Sequence, residues 1–289
     1  MIRLFTDTDN DVTPEVAARY GYTLISMPYT VDDKIIYPYV DFDVFDDKAF
    51  YGMLREGVMP TTSAISEQNY VDYFEPVFAA GDDILYVHFS RAMSATFANM
   101  DKALASLAEK YPERKFYEID AKGISLPGYA IACEVGEMFK AGKSIDEILE
   151  WAKTGVYKWA VYFMADDLKF FKRSGRVSGL AATMGSLLGV RPIIYMSAEG
   201  KMVSIGKERG RQRGLERLIQ YVRELGDGVK DHKVYVADTD NAEIVAQLVG
   251  MLRDEFGSDL DVEVVKVNPT AGSHCGPAAV GVCFRAIHR

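Results

Sequence analysis

Short apolar runs alternate with stretches whose apolar residues recur every three or four positions, and this alternation runs the length of the chain. It predicts an α/β protein. In the first half the pattern predicts a strand over Ile2–Thr6, then a helix capped by Thr13 with Pro14 at its first position and ended by Gly21. A strand follows near Thr23–Val31, and a helix over Asp46–Glu56 stops at Gly57. Ser66 opens a helix to Ala80, Ile84–Phe89 reads as a buried strand, Ser94 starts a helix to about Lys110, and Lys115–Ile119 reads as a strand. Helices near Pro127–Ala141 and Ser144–Thr154 complete this half.

The second half has a different rhythm. Val156–Met164, Pro192–Met196, Lys201–Ile205, Lys233–Ala237, Val262–Val267 and Ala279–Arg285 read as strands, two of them close enough around Ala198–Gly200 to form a hairpin. Helices are expected at Gly179–Leu188, Lys207–Leu225 and Asn241–Phe256. Two domains are therefore expected: residues 1–155 with a parallel sheet, and residues 156–289 with a mixed or antiparallel one, the boundary falling at Lys153–Gly155.

Composition narrows the function classes. The 289 residues are 48% hydrophobic, enough for a substantial core. Forty-two acidic against thirty-three basic residues leave a formal charge of −9, which argues against a general nucleic-acid binder. The opening MIRLFTDTDND has no apolar signal region and no later stretch reaches the roughly 18 apolar residues of a membrane span, so a cytoplasmic location is expected. Cys133, Cys275 and Cys283 form no C-x-x-C pair, and His88, His232, His274 and His288 are scattered singly, so neither a disulfide framework nor a metal centre is expected.

Three stretches set hydroxyls and one imidazole among small residues: Pro60–Ser66, Ser90–Thr96 and Gly272–Gly281. Thr62, Ser63, Ser94, Thr96 and His274 together suggest a cradle for a small anion. Other chemistries are weaker. The AGKS ending of Gly136–Ser144 has five residues where a P-loop needs four, whereas Ser144 and Glu147 fit a helix-capping box. Asp9-x-Asp11-x-Thr13 has the spacing of a magnesium-dependent phosphatase, with Asp166 and Asp167 as the second acidic element, but Asp7 occupies the strand end where the nucleophile belongs. Ser94 with His274 lacks the strained elbow of a serine hydrolase. Arg173–Gly179 with Lys207, Arg209, Arg211 and Arg213 concentrates positive charge on an acidic chain, as a docking surface would.

The ordered motifs resemble the DegV family of bacterial fatty-acid-binding proteins over essentially the whole chain. Thr6-Asp7-Thr8 stands where that family has T-D-S, Thr62-Ser63 with Ser66 matches T-S-Q-P-S, and Ser90 to Thr96 matches S-S-x-L-S-G-T. Asp167-Leu168 with Gly175–Ser178, Leu187–Ile194, and His274-x-Gly276-Pro277 look like its D-L-x-x-L…G-R-I-S, L-L-x-I-K-P-I-L and H-x-G-P-G. Ala64, Ile65, Arg91, Ala95 and Ala278 depart from those patterns. The resemblance implies a non-catalytic carrier without cofactor, holding one long-chain fatty acid between its domains and offering the carboxyl group to a separate fatty acid kinase subunit. Carried over, Thr62 and Ser94 bond the carboxyl group near His274, Ser63, Ser90, Thr96 and Ser273 are further contacts, and Arg173, Arg176, Lys207 and Arg209 face the partner. A magnesium-dependent phosphatase, a serine hydrolase, and a lipid sensor without transfer stay open as alternatives.

Overall fold

The computed structural model describes residues 1–166, 168–180 and 189–289. The first half runs β1 (Ile2–Asp7), α1 (Pro14–Tyr20), β2 (Tyr22–Ile25), β3 (Tyr29–Val31), β4 (Lys34–Ile36), α2 (Asp47–Arg55) and β5 (Thr61–Thr62). It continues through α3 (Glu67–Ala79), β6 (Asp83–His88), α4 (Thr96–Lys110), β7 (Phe116–Asp120), α5 (Leu126–Lys140) and α6 (Ile145–Gly155). The second half runs β8 (Trp159–Ala165), α7 (Lys169–Ser174), β9 (Val177–Ser178), β10 (Val190–Met196), β11 (Met202–Arg209) and α8 (Arg211–Leu225). It ends with β12 (Val234–Asp238), α9 (Ala242–Phe256), β13 (Val262–Lys266), α10 (Pro269–Cys275) and β14 (Ala279–Arg285).

Local chemistry places most of these elements. Thr13 accepts from the Val16 N–H and Gly21 closes α1 at φ 76°. Ser66 and Asn69 form a capping box at α3, as Ser144 and Glu147 do at α6, so the AGKS stretch is a helix junction with Gly142 at φ 78°.

β2-β1-β6-β7 form a four-stranded sheet paired throughout in parallel, and β13-β12-β14-β8-β10-β11-β9 form a seven-stranded mixed sheet. This is the expected α/β class, parallel first and mixed second. Leu126–Val135 of α5 is buried almost all round, because this helix packs in one core with Leu4 and Leu85 of the first sheet and Val161 and Cys283 of the second.

Three expectations are corrected. Thr23–Val31 is two strands in different sheets, since Pro28 has no N–H for a ladder and the Met27 N–H is taken by Thr8 Oγ1 at 2.9 Å. β3 instead pairs with β4 and β5 in a three-stranded sheet. The strand expected from Val156 begins at Trp159, after a turn of 3-10 helix. The helix expected from Lys207 begins at Arg211, because β11 stays paired with β10 up to Arg209 and Gly210 turns the chain at φ 90°. Lys207 and Arg209 are thus strand residues. Asp167 and residues 181–188, with most of the helix expected at Gly179–Leu188, lie outside the described residues.

Candidate functional site

Strands β1 and β6 are parallel neighbours, so the turns that follow them, Thr8–Asn10 and Arg91–Met93, leave the same end of the sheet. Ligands gather at such carboxyl ends. Against that end lie β5, α10 and one face of the mixed sheet, enclosing a cavity of about 200 Å³. A site for a single water needs only ~10–15 Å³, so this cavity admits a ligand much larger than water. Met27, Phe89 and Met93 line it from the first half, and Val161, Phe163, Met196, Met202, Ala237 and Val280 from the second. Val161 and Phe163 are two residues apart on β8 and so share its face.

Polar side chains, Ser125 and Thr270 among them, interrupt this mainly apolar wall. Thr62, Ser63, Ser94, Thr96 and His274 all line the cavity. Thr62 on β5 places Oγ1 2.9 Å from His274 Nε2, while His274 Nδ1 is buried without a partner. Burial, then Arg176 and Arg173, push the imidazole down to about 4, so it is neutral at pH 7. Ser94 Oγ accepts from the Thr96 N–H at 3.2 Å, holding the hydroxyl at the foot of α4. Thr96 Oγ1 lies 3.1 Å from the buried Tyr70 hydroxyl.

Two of the sequence candidates stand outside the lining. Ser90 Oγ accepts from the Ala92 N–H at 3.2 Å and packs against Gly200, where an added Cβ would lie 2.1 Å from it. Ser273 Oγ donates to the Pro269 carbonyl at 2.7 Å within α10. Both are fully buried.

The four cations separate likewise. Arg173 donates to the carbonyls of Met59 and Pro60 and, at 3.4 Å, of Ser273, clamping the chain before Thr62 onto the His274 helix. Arg176 lines the cavity. Ile205, Lys207 and Arg209, two residues apart along β11, share its exposed face.

Asp7 Oδ2 accepts from the Tyr86 hydroxyl at 3.0 Å and the Phe89 N–H at 3.1 Å. Asp11 accepts from the Asn268 N–H and amide group and from Ser125 Oγ. Asp166 is ion-paired with Arg191 and Arg211. These carboxylates therefore point at separate partners, and among the described residues no group of three or more His, Cys, Asp or Glu is placed to hold a metal ion. His274 bonds Thr62, and among the described residues no carboxylate orients its Nδ1 as a catalytic triad requires.

Of the departures from the family pattern, Ala64 and Ala95 line the cavity, Ile65 is core, and Arg91 turns away to Glu118 and Asp101. Ala278 has φ 62°, a conformation that suits glycine. Ala278→Gly is expected to be neutral or to stabilise by up to about 1 kcal/mol in urea unfolding, the loss of strain outweighing the added chain entropy.

Asp9 and Cys275 also line the cavity. Asp9 comes there on the turn that follows β1, whereas Cys275 sits on α10, a helix with no clear pattern in the sequence.

Two sheet-based α/β halves around a partly enclosed, mainly apolar cavity with a hydroxyl and imidazole rim define a class of ligand-holding fold. Residues 1–286 match the profile of the family described as "Uncharacterised protein, DegV family". A DegV domain-containing protein of Clostridium perfringens is 31% identical over 281 residues, 97% of this chain and 96% of the relative. The chain belongs to the DegV family. It superposes on a fatty-acid-binding DegV family protein from Thermus thermophilus, with TM-score 0.85, 23% identity and 99% of both chains covered. A stearic acid-binding protein from Eubacterium ventriosum gives TM-score 0.85 at 20% identity over 98% of both chains. DegV, a fatty acid binding protein from Bacillus subtilis, gives 0.82 at 23% identity over 99% of both. Among the described residues no helix is long and apolar enough to cross a membrane.

Proposed function

We propose that this protein holds one long-chain fatty acid in the cavity between residues 1–155 and 156–289 and presents its carboxyl group to a separate kinase subunit for conversion to acyl phosphate. The observation that carries this reading is a mainly apolar cavity whose polar groups are mostly hydroxyls beside a neutral imidazole, with Asp9 and Arg176 also in its lining. A long acyl chain supplies affinity at roughly 0.8 kcal/mol per buried methylene, about 12 kcal/mol gross for fifteen, reduced by ordering and association. The head group needs only its lost hydration replaced. Thr62 and Ser94 supply the hydroxyls, with His274 beside them and Ser63 and Thr96 as further contacts. The proteins of T. thermophilus, E. ventriosum and B. subtilis named for fatty acids share this fold and support the reading.

Mass spectrometry of an organic extract from the purified protein is expected to return a long-chain fatty acid. Thr62→Ala and Ser94→Ala are expected to retain several-fold less of it than Lys110→Ala, whose side chain is 63% exposed on α4 and paired with Glu75. Equal retention in all three contradicts the head-group assignment. Mixing loaded protein with ATP and a fatty acid kinase subunit is expected to yield acyl phosphate, and Lys207→Glu with Arg209→Glu is expected to reduce the yield without emptying the cavity. Retention of lipid with no acyl phosphate under any kinase would instead identify a lipid sensor.

A further inference from the structure

Asp9 is 5% exposed and lines the cavity, yet its Oδ1 is buried without any hydrogen-bond partner. Its neighbours differ in place: Asp7, whose Oδ1 is likewise buried without a partner, takes two donors on Oδ2, Asp11 takes three, and neither lines the cavity. The turn that carries Asp9 leaves β1 beside the turn that carries Ser94, at one end of one parallel sheet. Asp9 is thus a cavity-lining carboxyl with an oxygen that no protein group satisfies, and such a group calls for a partner from outside the chain.

We propose that Asp9 donates a hydrogen bond from its carboxyl O–H to the carboxylate of the bound ligand, and so selects acids over neutral lipids with the same tail. The inference rests on the fatty-acid reading of the cavity. Two carboxyl groups meeting in a dry site share one proton, because both cannot be ionised at close range. The surroundings favour the acid form at Asp9: burial raises it first, and the charges of Asp7 and Asp11 raise it further. The other titratable and charged groups around it are Tyr86 of β6 and Tyr70 of α3, with His274 and Cys275 of α10 and Arg176 across the cavity. Arg176 is the cation of that lining and His274 is neutral at pH 7, so the ligand drawn here is an anion, and a protonated Asp9 is the partner that does not repel it.

The test uses the whole chain stripped of lipid, with hexadecanoic acid and hexadecanol as paired probes at pH 7. Asp9→Ala is expected to weaken the acid by roughly 10- to 100-fold and the alcohol by less than about threefold, the span of a hydrogen bond to a charged group. Asp9→Asn keeps a donor of the same size without a charge and is expected to stay within about threefold of wild type for both probes. An acid-to-alcohol preference unchanged in Asp9→Ala, or acid binding that strengthens in both variants, overturns the proposal. If no version binds the acid, the fatty-acid reading itself has failed. The infrared difference between wild type and Asp9→Asn then decides the proton separately, a protonated-carboxyl band supporting it and its absence refuting it.

Discussion

Gly276→Ala is expected to lower the stability of the folded protein by about 3–5 kcal/mol, the sum of backbone strain and overpacking. Gly276 ends α10 two residues after His274, with φ 73° and ψ −179°, a region that residues with a Cβ rarely enter. The added carbon would lie 2.2 Å from Phe170 Cδ2 and 2.7 Å from Cε2. That ring cannot swing aside, because Phe170 is 0% exposed in a cluster with Tyr29, Phe50, Tyr51 and Leu54. Relief must come from moving α10, and His274 then leaves Thr62. The variant is therefore expected to lose its ligand as well as its stability. Gly250→Ala is the control of opposite sign. Gly250 lies inside α9 with nothing within 4 Å of its would-be Cβ, so alanine there should stabilise by about 0.5–1 kcal/mol. Urea unfolding of both variants checks the pair, and a Gly276→Ala midpoint equal to wild type would refute the packing argument.

The elements legible in the sequence are those whose signals are local. Thr13 with Pro14, Ser66, and Ser144 with Glu147 each satisfy backbone N–H groups within three residues, so spacing alone reveals them. The hairpin of β10 and β11 and the mixed character of the second sheet follow from strand spacing in the same way. The three-stranded sheet of β3, β4 and β5 is not legible, since strands of two or three residues leave no period to read. Nor is α10, a helix of seven residues whose sequence PTAGSHC carries little apolar periodicity. Within the site, composition distinguishes residue types but not directions. Ser90, Ser94 and Ser273 look alike in sequence, yet two turn their hydroxyls to backbone groups away from the cavity and one lines it. The clamp of Arg173 on Met59 and Pro60 spans more than a hundred residues, and such a contact leaves no trace in local pattern.

Acid should reveal His274 through stability. In the lipid-free protein its imidazole is held down to about 4, against about 6.5 in the unfolded chain. Between those values the unfolded state binds the proton and the folded state does not, so stability falls as pH drops through that window. That difference corresponds to roughly 3 kcal/mol, and a side chain partly open to the cavity should realise about 2–3 of it. Asp7 and Asp11 act in the opposite direction. Burial raises both to about 6, so the folded state binds their protons first and stability rises as pH falls below that value. Their combined effect exceeds that of one imidazole over this window, so the histidine is seen only by difference. His274→Asn removes the imidazole while keeping a polar side chain, and its stability relative to wild type is expected to grow by about 2–3 kcal/mol between pH 7 and pH 4. Urea midpoints of the two lipid-free proteins at each pH measure this directly, and a difference that stays constant would show that the imidazole is not held neutral. Loading with a fatty acid should shrink the effect, because a carboxylate beside the ring favours the imidazolium and moves its titration back toward the unfolded value.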